Sequence, residues 1–366
     1  MQARGFLLVL LSVLVGCAAP ATPLATPTPV PVATPPPAPP TATVAPSPTP
    51  AVPPAEKTKV ILAVGGKTAI VYLPLSIVEQ KGFFKEEGLE VEIQDFAGGA
   101  KALEALVGGS ADVVMGFFDH TIQMQAQGRD ITAVVQVGRY PGLVLGVRSD
   151  LADKVKKASD LKGMKVGVTA PGSSTHFFIN YLLSKEGLKP TDISAIGIGT
   201  TATAVAAVEK KEVDALVNVD PVMTQLEQRG LIKILVDTRT EKDTAQVFGG
   251  EYPAAVLYAK REFVEKNPGT TQRLVNAIVK GLRWMAGRKA EEVVAILPES
   301  YAAGNKDLYL QIVAKSLGMF SPNGRFAETA PQTALQVLSL FDTKVAAAKV
   351  DVTKTFTNRF VDQGPK

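Results

Sequence analysis

Two segments of this chain are suited by residue type to hold a small molecule, Gly98-Gly99 and Gly172-Ser173-Ser174-Thr175. Each stands where the hydrophobic pattern predicts that a helix begins. The first amides of a helix lack partners within it and lie at the positive end of its dipole, so a helix start favours anions and carbonyl oxygens. Gly98 and Gly99 would let a ligand approach the backbone, or would serve a tight turn alone. Ser173, Ser174 and Thr175 add hydroxyls, which equally suit helix capping. His176 follows them and offers a ring to stack or a hydrogen bond to donate.

Further candidates stand at predicted strand ends. Gly116 closes one strand and leads into Phe117-Phe118-Asp119-His120. Aromatic rings there suit a planar ligand, with one Phe of the pair expected in the core. His120 is left open between the site and the helix surface. Lys67, Thr68 and Tyr72 follow the first strand, where Lys67 would meet an anion or remain a solvated charge. Asn218 and Asp220 end a later strand and would accept from ligand donors, while Asp220 also fits as the cap of a helix begun by Pro221. Arg139-Tyr140-Pro141 is a weaker candidate, and Trp284 reads as core.

Composition narrows the chemistry. The 366 residues carry 39 basic and 35 acidic side chains, a net charge of +4 without basic blocks, which gives no sign of a nucleic-acid partner. There is one cysteine and there are two histidines. One cysteine makes no internal disulfide, and two histidines leave little material for a metal centre or a Ser-His-Asp hydrolase. No metal, cofactor or catalytic residue is therefore expected. There is no phosphate loop of the Walker type, so any nucleotide hydrolysis belongs to a partner.

The elements that must position these residues alternate. Apolar strand-like runs at 60–64, 89–93, 111–115, 131–137 and 143–147 are interleaved with helical segments at 73–82, 98–109 and 117–127. The alternation restarts at 165–168 and continues through 193–198, 214–217, 232–236 and 254–258. The tail is helical, over 270–287, 290–296, 308–317 and 329–345. This βα pattern predicts an α/β protein with mostly parallel sheets flanked by helices. The restart predicts two lobes: 57–147 as the first part of lobe I, 148–250 as lobe II and 251–366 returning to lobe I. Two strands cross between them, near Leu145 and Val256. Ligands of open α/β sheets lie beyond the strands' carboxyl ends, so the interlobe cleft is the expected site.

The N-terminus reads as an address and a tether. Arg4 precedes an apolar run from Gly5 to Gly16, too short for a comfortable membrane span and suited to a secretory signal over residues 1–16. Leu14-Val15-Gly16-Cys17 resembles the bacterial lipobox, which implies cleavage and acylation at Cys17. The 17–56 segment contains fifteen of the 26 prolines and reads as a disordered linker.

The body resembles the type 2 periplasmic-binding-protein superfamily, and within it the nitrate/sulfonate/bicarbonate group, also described as NMT1/THI5-like. The stretches that carry the resemblance are Tyr72-Leu73-Pro74-Leu75, Glu79 to Phe84, Glu87-Gly88-Leu89, Gly98-Gly99, Gly109 to Val113, Asp160 to Gly163, Val166-Gly167-Val168, Pro171 to Thr175 and Val213-Asp214-Ala215. Their order and spacing carry it from about residue 58 to about residue 260. The resemblance implies an extracytoplasmic protein; the lipobox-like segment adds the expectation of a lipid anchor at Cys17, and a monomer suits lobe closure. It would capture a sulfonate, nitrate, carboxylate or pyrimidine-like solute between its lobes and hand it to an ABC permease driven by a cytoplasmic ATPase. Two alternatives share the fold: a THI5-like or menaquinone-pathway enzyme, and a sensory surface protein. The THI5-like enzymes carry a cysteine-rich motif that this chain lacks, since Cys17 is its only cysteine.

Overall fold

Short apolar runs separated by glycine stops fold here into two five-stranded sheets. The computed structural model describes residues 53–302 and 304–364, which form one compact unit. The expected signal segment 1–16, Cys17 and most of the expected linker 17–56 lie outside the described residues. The strands are β1 (Lys59–Val64), β2 (Glu90–Asp95), β3 (Val113–Phe117), β4 (Ile131–Gln136), β5 (Val144–Arg148), β6 (Lys165–Val168), β7 (Ser194–Gly197), β8 (Ala215–Asn218), β9 (Ile232–Asp237) and β10 (Ala255–Lys260).

The first sheet has the order β2-β1-β3-β10-β4 and the second β7-β6-β8-β5-β9. β1 runs parallel to β2 and β3, while β10 is antiparallel to β3 and β4. β6 runs parallel to β7 and β8, while β5 is antiparallel to β8 and β9. Four of five strands in each sheet therefore share a direction, and the odd one is the strand donated by the other half of the chain. The central strand β3 is buried at every residue, as helices on both faces require, and β4 is equally buried although it stands at the sheet's end. The edge strand β2 alternates exposed glutamates with half-buried residues instead.

The chain changes sheets at two places, between β4 and β5 and between β9 and β10. Leu145 lies inside β5 in the second sheet, and Val256 lies inside β10 in the first. The first crossover holds Pro141 and Gly142, whose φ of 61° breaks any extension of β4 into β5.

Three readings of local structure change. The segment after β9, expected as a loop, contains the helix Glu241–Phe248, whose start is capped by the Thr240 hydroxyl accepting from the Asp243 N–H. Its few apolar residues hid it, yet Phe248 stacks on Tyr181 and Tyr252. The single helix expected over 329–345 is two, Ala330–Ser339 and Thr343–Ala348, because the Asp342 carboxylate accepts from the Lys344 and Val345 amides and starts a new helix. Trp284, expected in the core, is half-buried at its edge, with Lys81 and Arg288 over its ring.

The helix Pro268–Met285 packs against the first sheet's layer of helices, and the chain enters the fold beside it. The Glu56 carboxylate accepts from the Gly269 and Thr270 amides at 3.0 and 2.9 Å, a remote cap on that helix. Among the described residues no helix is long and apolar enough to cross a membrane.

Candidate functional site

The residues after the carboxyl ends of the parallel strands converge between the sheets. Gly65 follows β1, Phe117 ends β3, Thr169 follows β6, and Val219 follows β8; all four line one cavity. The helix Gly99–Gly108 starts on its first-lobe side, and the helix Ser174–Lys185 starts on its second-lobe side. Tyr72, Leu143 and Thr200 complete the wall, with Ala69, Val71 and the hydroxyl residues Ser173, Ser174 and Thr175. The cavity itself holds about 30 Å³, and about 360 Å³ when the open space around its mouth is counted. No lysine, arginine, aspartate or glutamate is among its lining residues.

The two lobes meet directly around this cavity. The Ala100 N–H donates to Ser173 Oγ at 2.9 Å. The Ser174 hydroxyl donates to Asp119 Oδ1 at 2.7 Å, and the Ile70 N–H donates to the Asp220 carbonyl at 2.9 Å. His120 Nε2 lies 3.3 Å from the Gly172 carbonyl, and its Nδ1 lies 3.3 Å from the Tyr258 hydroxyl. A carbonyl only accepts, so Nε2 carries the proton, and with the ring neutral Nδ1 is left to accept from Tyr258. Burial favours that neutral imidazole by pushing the His120 pKa down, against the pull of Asp119. Burial pushes the Asp119 carboxyl up, with His120, Ser174 and Tyr252 holding it back. Burial also raises the phenols of Tyr72 and Tyr258, with nearby carboxylate charge adding to it, and both stay protonated as donors.

Small residues let the lobes approach. A methyl group on Gly98 would sit 3.0 Å from the Ala170 Cβ, and one on Gly66 would sit 2.2 Å from Thr200 Oγ1. Gly66 has φ 95°, so its conformation also asks for glycine.

The structure brings Tyr72, Gly99, Phe117, Ser173, Ser174 and Thr175 together at the cavity. Gly98 caps the helix that Gly99 begins, and Gly172 carries the carbonyl facing His120. The other sequence candidates point elsewhere. Phe118 is fully buried against Phe326 and Phe356, the core member of its pair. Gly116 makes room for the Tyr258 ring, which a methyl group there would approach to 2.7 Å. Lys67 pairs with Glu79 at 2.6 Å, and Thr68 does not line the cavity.

His176 turns away: its Nδ1 accepts from the Gly172 N–H, and its ring lies in an outer groove with Gln123 and Asn180. Asn218 is spent on the Gly199 carbonyl and the Val219 amide. Asp220 caps the helix Val222–Gln228 by accepting from Thr224. Arg139 pairs with Glu241 and Glu251, linking the two crossovers.

His120 is the main residue that the sequence left undecided, and it is wholly buried at the cavity. Gly65, Ala69, Val71, Leu143, Thr169, Thr200 and Val219 were not singled out. The rule that sites follow strand carboxyl ends would have found Gly65, Thr169 and Val219.

The comparisons with known proteins agree with this geometry. The family model described as NMT1/THI5 like matches residues 70–292. A solved structure from Bordetella bronchiseptica RB50 is 48% identical and superposes with a TM-score of 0.83, covering 85% of this chain and 98% of that one. The alkanesulfonate-binding protein SsuA of Xanthomonas axonopodis pv. citri, bound to MOPS, is 20% identical with a TM-score of 0.64, covering 83% and 99%. Among curated relatives, YtlA of Bacillus subtilis is 25% identical over 246 residues, 66% of this chain and 70% of YtlA. The 4-amino-5-hydroxymethyl-2-methylpyrimidine phosphate synthase THI11 of Saccharomyces cerevisiae is 24% identical over 230 residues, and the match spans 61% of this chain and 65% of the yeast protein. The architecture of two lobes built on mixed five-stranded sheets is the type 2 periplasmic-binding-protein fold, and the chain belongs to the NMT1/THI5-like family.

Proposed function

We propose that this protein is the extracytoplasmic solute-binding component of an ABC importer, which captures a small molecule between its lobes and delivers it to a membrane permease driven by a cytoplasmic ATPase. The observation that carries this reading is the pair of helix starts, at Gly99 and Ser174, facing one cavity from opposite lobes. Helix-start amides and the Ser and Thr hydroxyls favour a solute with a compact acceptor group, such as a carboxylate, a sulfonate or a ring nitrogen. Tyr72 and Phe117, edge to face at 6.3 Å, suit a short apolar or planar body. The lack of charged lining residues disfavours multiply charged solutes.

The tether is part of the proposal. Acylation of Cys17 would hold a monomer at the outer face of the membrane, with the proline-rich segment as spacer. Incorporation of labelled fatty acid that persists in Cys17→Ala would remove the anchor from this account.

A thermal-shift screen of the chain from residue 53 against sulfonates, nitrate, bicarbonate, carboxylates, pyrimidines and flavins tests the reading. A ligand at a hundredfold excess over Kd stabilises the fold by about 2.7 kcal/mol. A shift that disappears in Phe117→Leu assigns the solute to this cleft; no shift with any compound removes the support for solute capture. The similarity to the yeast pyrimidine phosphate synthase favours a second reading, an enzyme on the same fold. Turnover of a bound compound, followed by mass spectrometry, would favour that reading over transport. A gene neighbourhood with a sensor kinase and no permease would favour sensing.

A further inference from the structure

Asp119 is 1% exposed, and both of its carboxylate oxygens are used. Oδ1 accepts from the Ser174 hydroxyl at 2.7 Å, and Oδ2 accepts from the Tyr252 hydroxyl at 3.2 Å. Ser174 opens the second-lobe helix Ser174–Lys185, whose first turn lines the cavity. Tyr252 lies in the second crossover, between β9 and β10. Its ring stacks on Phe248 at 4.4 Å, and Phe248 in turn packs on Tyr181 at 5.4 Å and Phe178 at 5.7 Å. Both of those rings belong to the same helix, Ser174–Lys185. One carboxylate of the first lobe thus fixes that helix at two points: at its first turn through Ser174, and at its middle through Tyr252 and Phe248.

We infer that Asp119 is a positioning residue for the proposed solute site: it sets where the helix Ser174–Lys185 presents its first turn to the cavity, and it couples lobe closure to the second crossover. Separating the lobes takes the Ser174 hydroxyl away from a carboxylate that also holds Tyr252, so opening disturbs both contacts. Removing one partner leaves a buried polar group unsatisfied, which costs more than the bond itself contributes. This inference rests on the solute-cleft reading for its purpose, but the coupling is measurable without any solute.

The test uses the purified chain carrying Cys17→Ser, with spin labels on Lys85→Cys in the first lobe and Lys210→Cys in the second, both exposed positions. Interlobe distance distributions are recorded by double electron–electron resonance with no compound added. Ser174→Ala and Asp119→Asn should each shift the ratio of short to long distances toward long by roughly fivefold, the size of one buried hydrogen bond. The double variant should shift it no further than Asp119→Asn alone, and Tyr252→Phe should move it the same way. Unchanged distributions, or effects of Ser174→Ala and Asp119→Asn that simply add, would overturn the inference. Should Asp119→Asn fail to fold, Ser174→Ala and Tyr252→Phe report the same coupling from its other ends. A failed solute screen with shifted distances would sink the capture reading and leave the coupling standing; a successful screen with unshifted distances would do the reverse.

Discussion

The backbone N–H of Ala100, in the first turn of a first-lobe helix, donates to the Oγ of Ser173, immediately before a second-lobe helix, over 2.9 Å. Two helix starts are thereby stitched together at the cavity's edge. Ser173→Ala leaves the Ala100 amide without that acceptor in a buried setting, a loss of about 1–3 kcal/mol in the closed form. Solute affinity falls with the closed population, by about fivefold or more. Titration calorimetry with a compound identified by thermal shift checks this, and equal affinities in the two proteins would remove Ser173 from the site.

Gly66 and Thr200 impose a steric limit on closure. A methyl group on Gly66 would lie 2.2 Å from Thr200 Oγ1 and 2.8 Å from its Cβ, far inside contact distance. Gly66→Ala should therefore hold the lobes apart, besides the strain of about 1–2 kcal/mol for a side chain at positive φ. Small-angle scattering should give a larger radius of gyration, and adding Thr200→Gly should bring it back toward the wild-type value. If the double variant stays as expanded as Gly66→Ala, strain rather than the lobe contact is responsible.

Adjacent phenylalanines should separate stability from binding. Phe118 is sealed in the first-lobe core with Phe326 and Phe356, so Phe118→Ala should cost about 3–5 kcal/mol in denaturant unfolding. Phe117 faces the cavity beside Tyr72, and Phe117→Leu should cost under about 1.5 kcal/mol while weakening solute binding. Comparable losses of stability in both would contradict the assignment of one ring to the core and the other to the site.

Glu56 gives the fold an acid-sensitive cap. Burial resists its ionisation, but the Thr270 and Gly269 amides and the Thr270 hydroxyl favour the carboxylate more strongly, so its pKa is lowered. A carboxyl that ionises more easily when folded stabilises fully above its unfolded value of about 4.3 and loses that contribution as pH falls through the lower folded value. Glu56→Ala should lower stability at neutral pH by under about 1 kcal/mol, since the group is exposed. Thermal unfolding of both proteins from pH 7 to pH 3 should show the difference shrinking at the acid end; a constant difference would mean that the charge is not what caps the helix.

The sequence alone determined the alternation of strands and helices, the two-lobed plan and the segments where helix starts would face a ligand. These follow from local physics: hydrophobic period, glycine stops such as Gly82 and Gly109 at positive φ, and helix starts at Gly98-Gly99 and Ser173-Ser174. The direction of each side chain was decided by the tertiary structure. Nothing local distinguishes Phe117 from Phe118, or His120 from His176; the Tyr258 ring, the Gly172 carbonyl and the partners of Phe118 do so, and they come from distant parts of the chain. The helix Glu241–Phe248 likewise escaped the pattern because its stability lies in Phe248 stacking on Tyr181 and Tyr252 rather than in its own periodicity. Lys67, Asn218 and Asp220 have ligand-binding chemistry by type, but each meets a nearer protein partner once the chain folds, and none of the three lines the cavity.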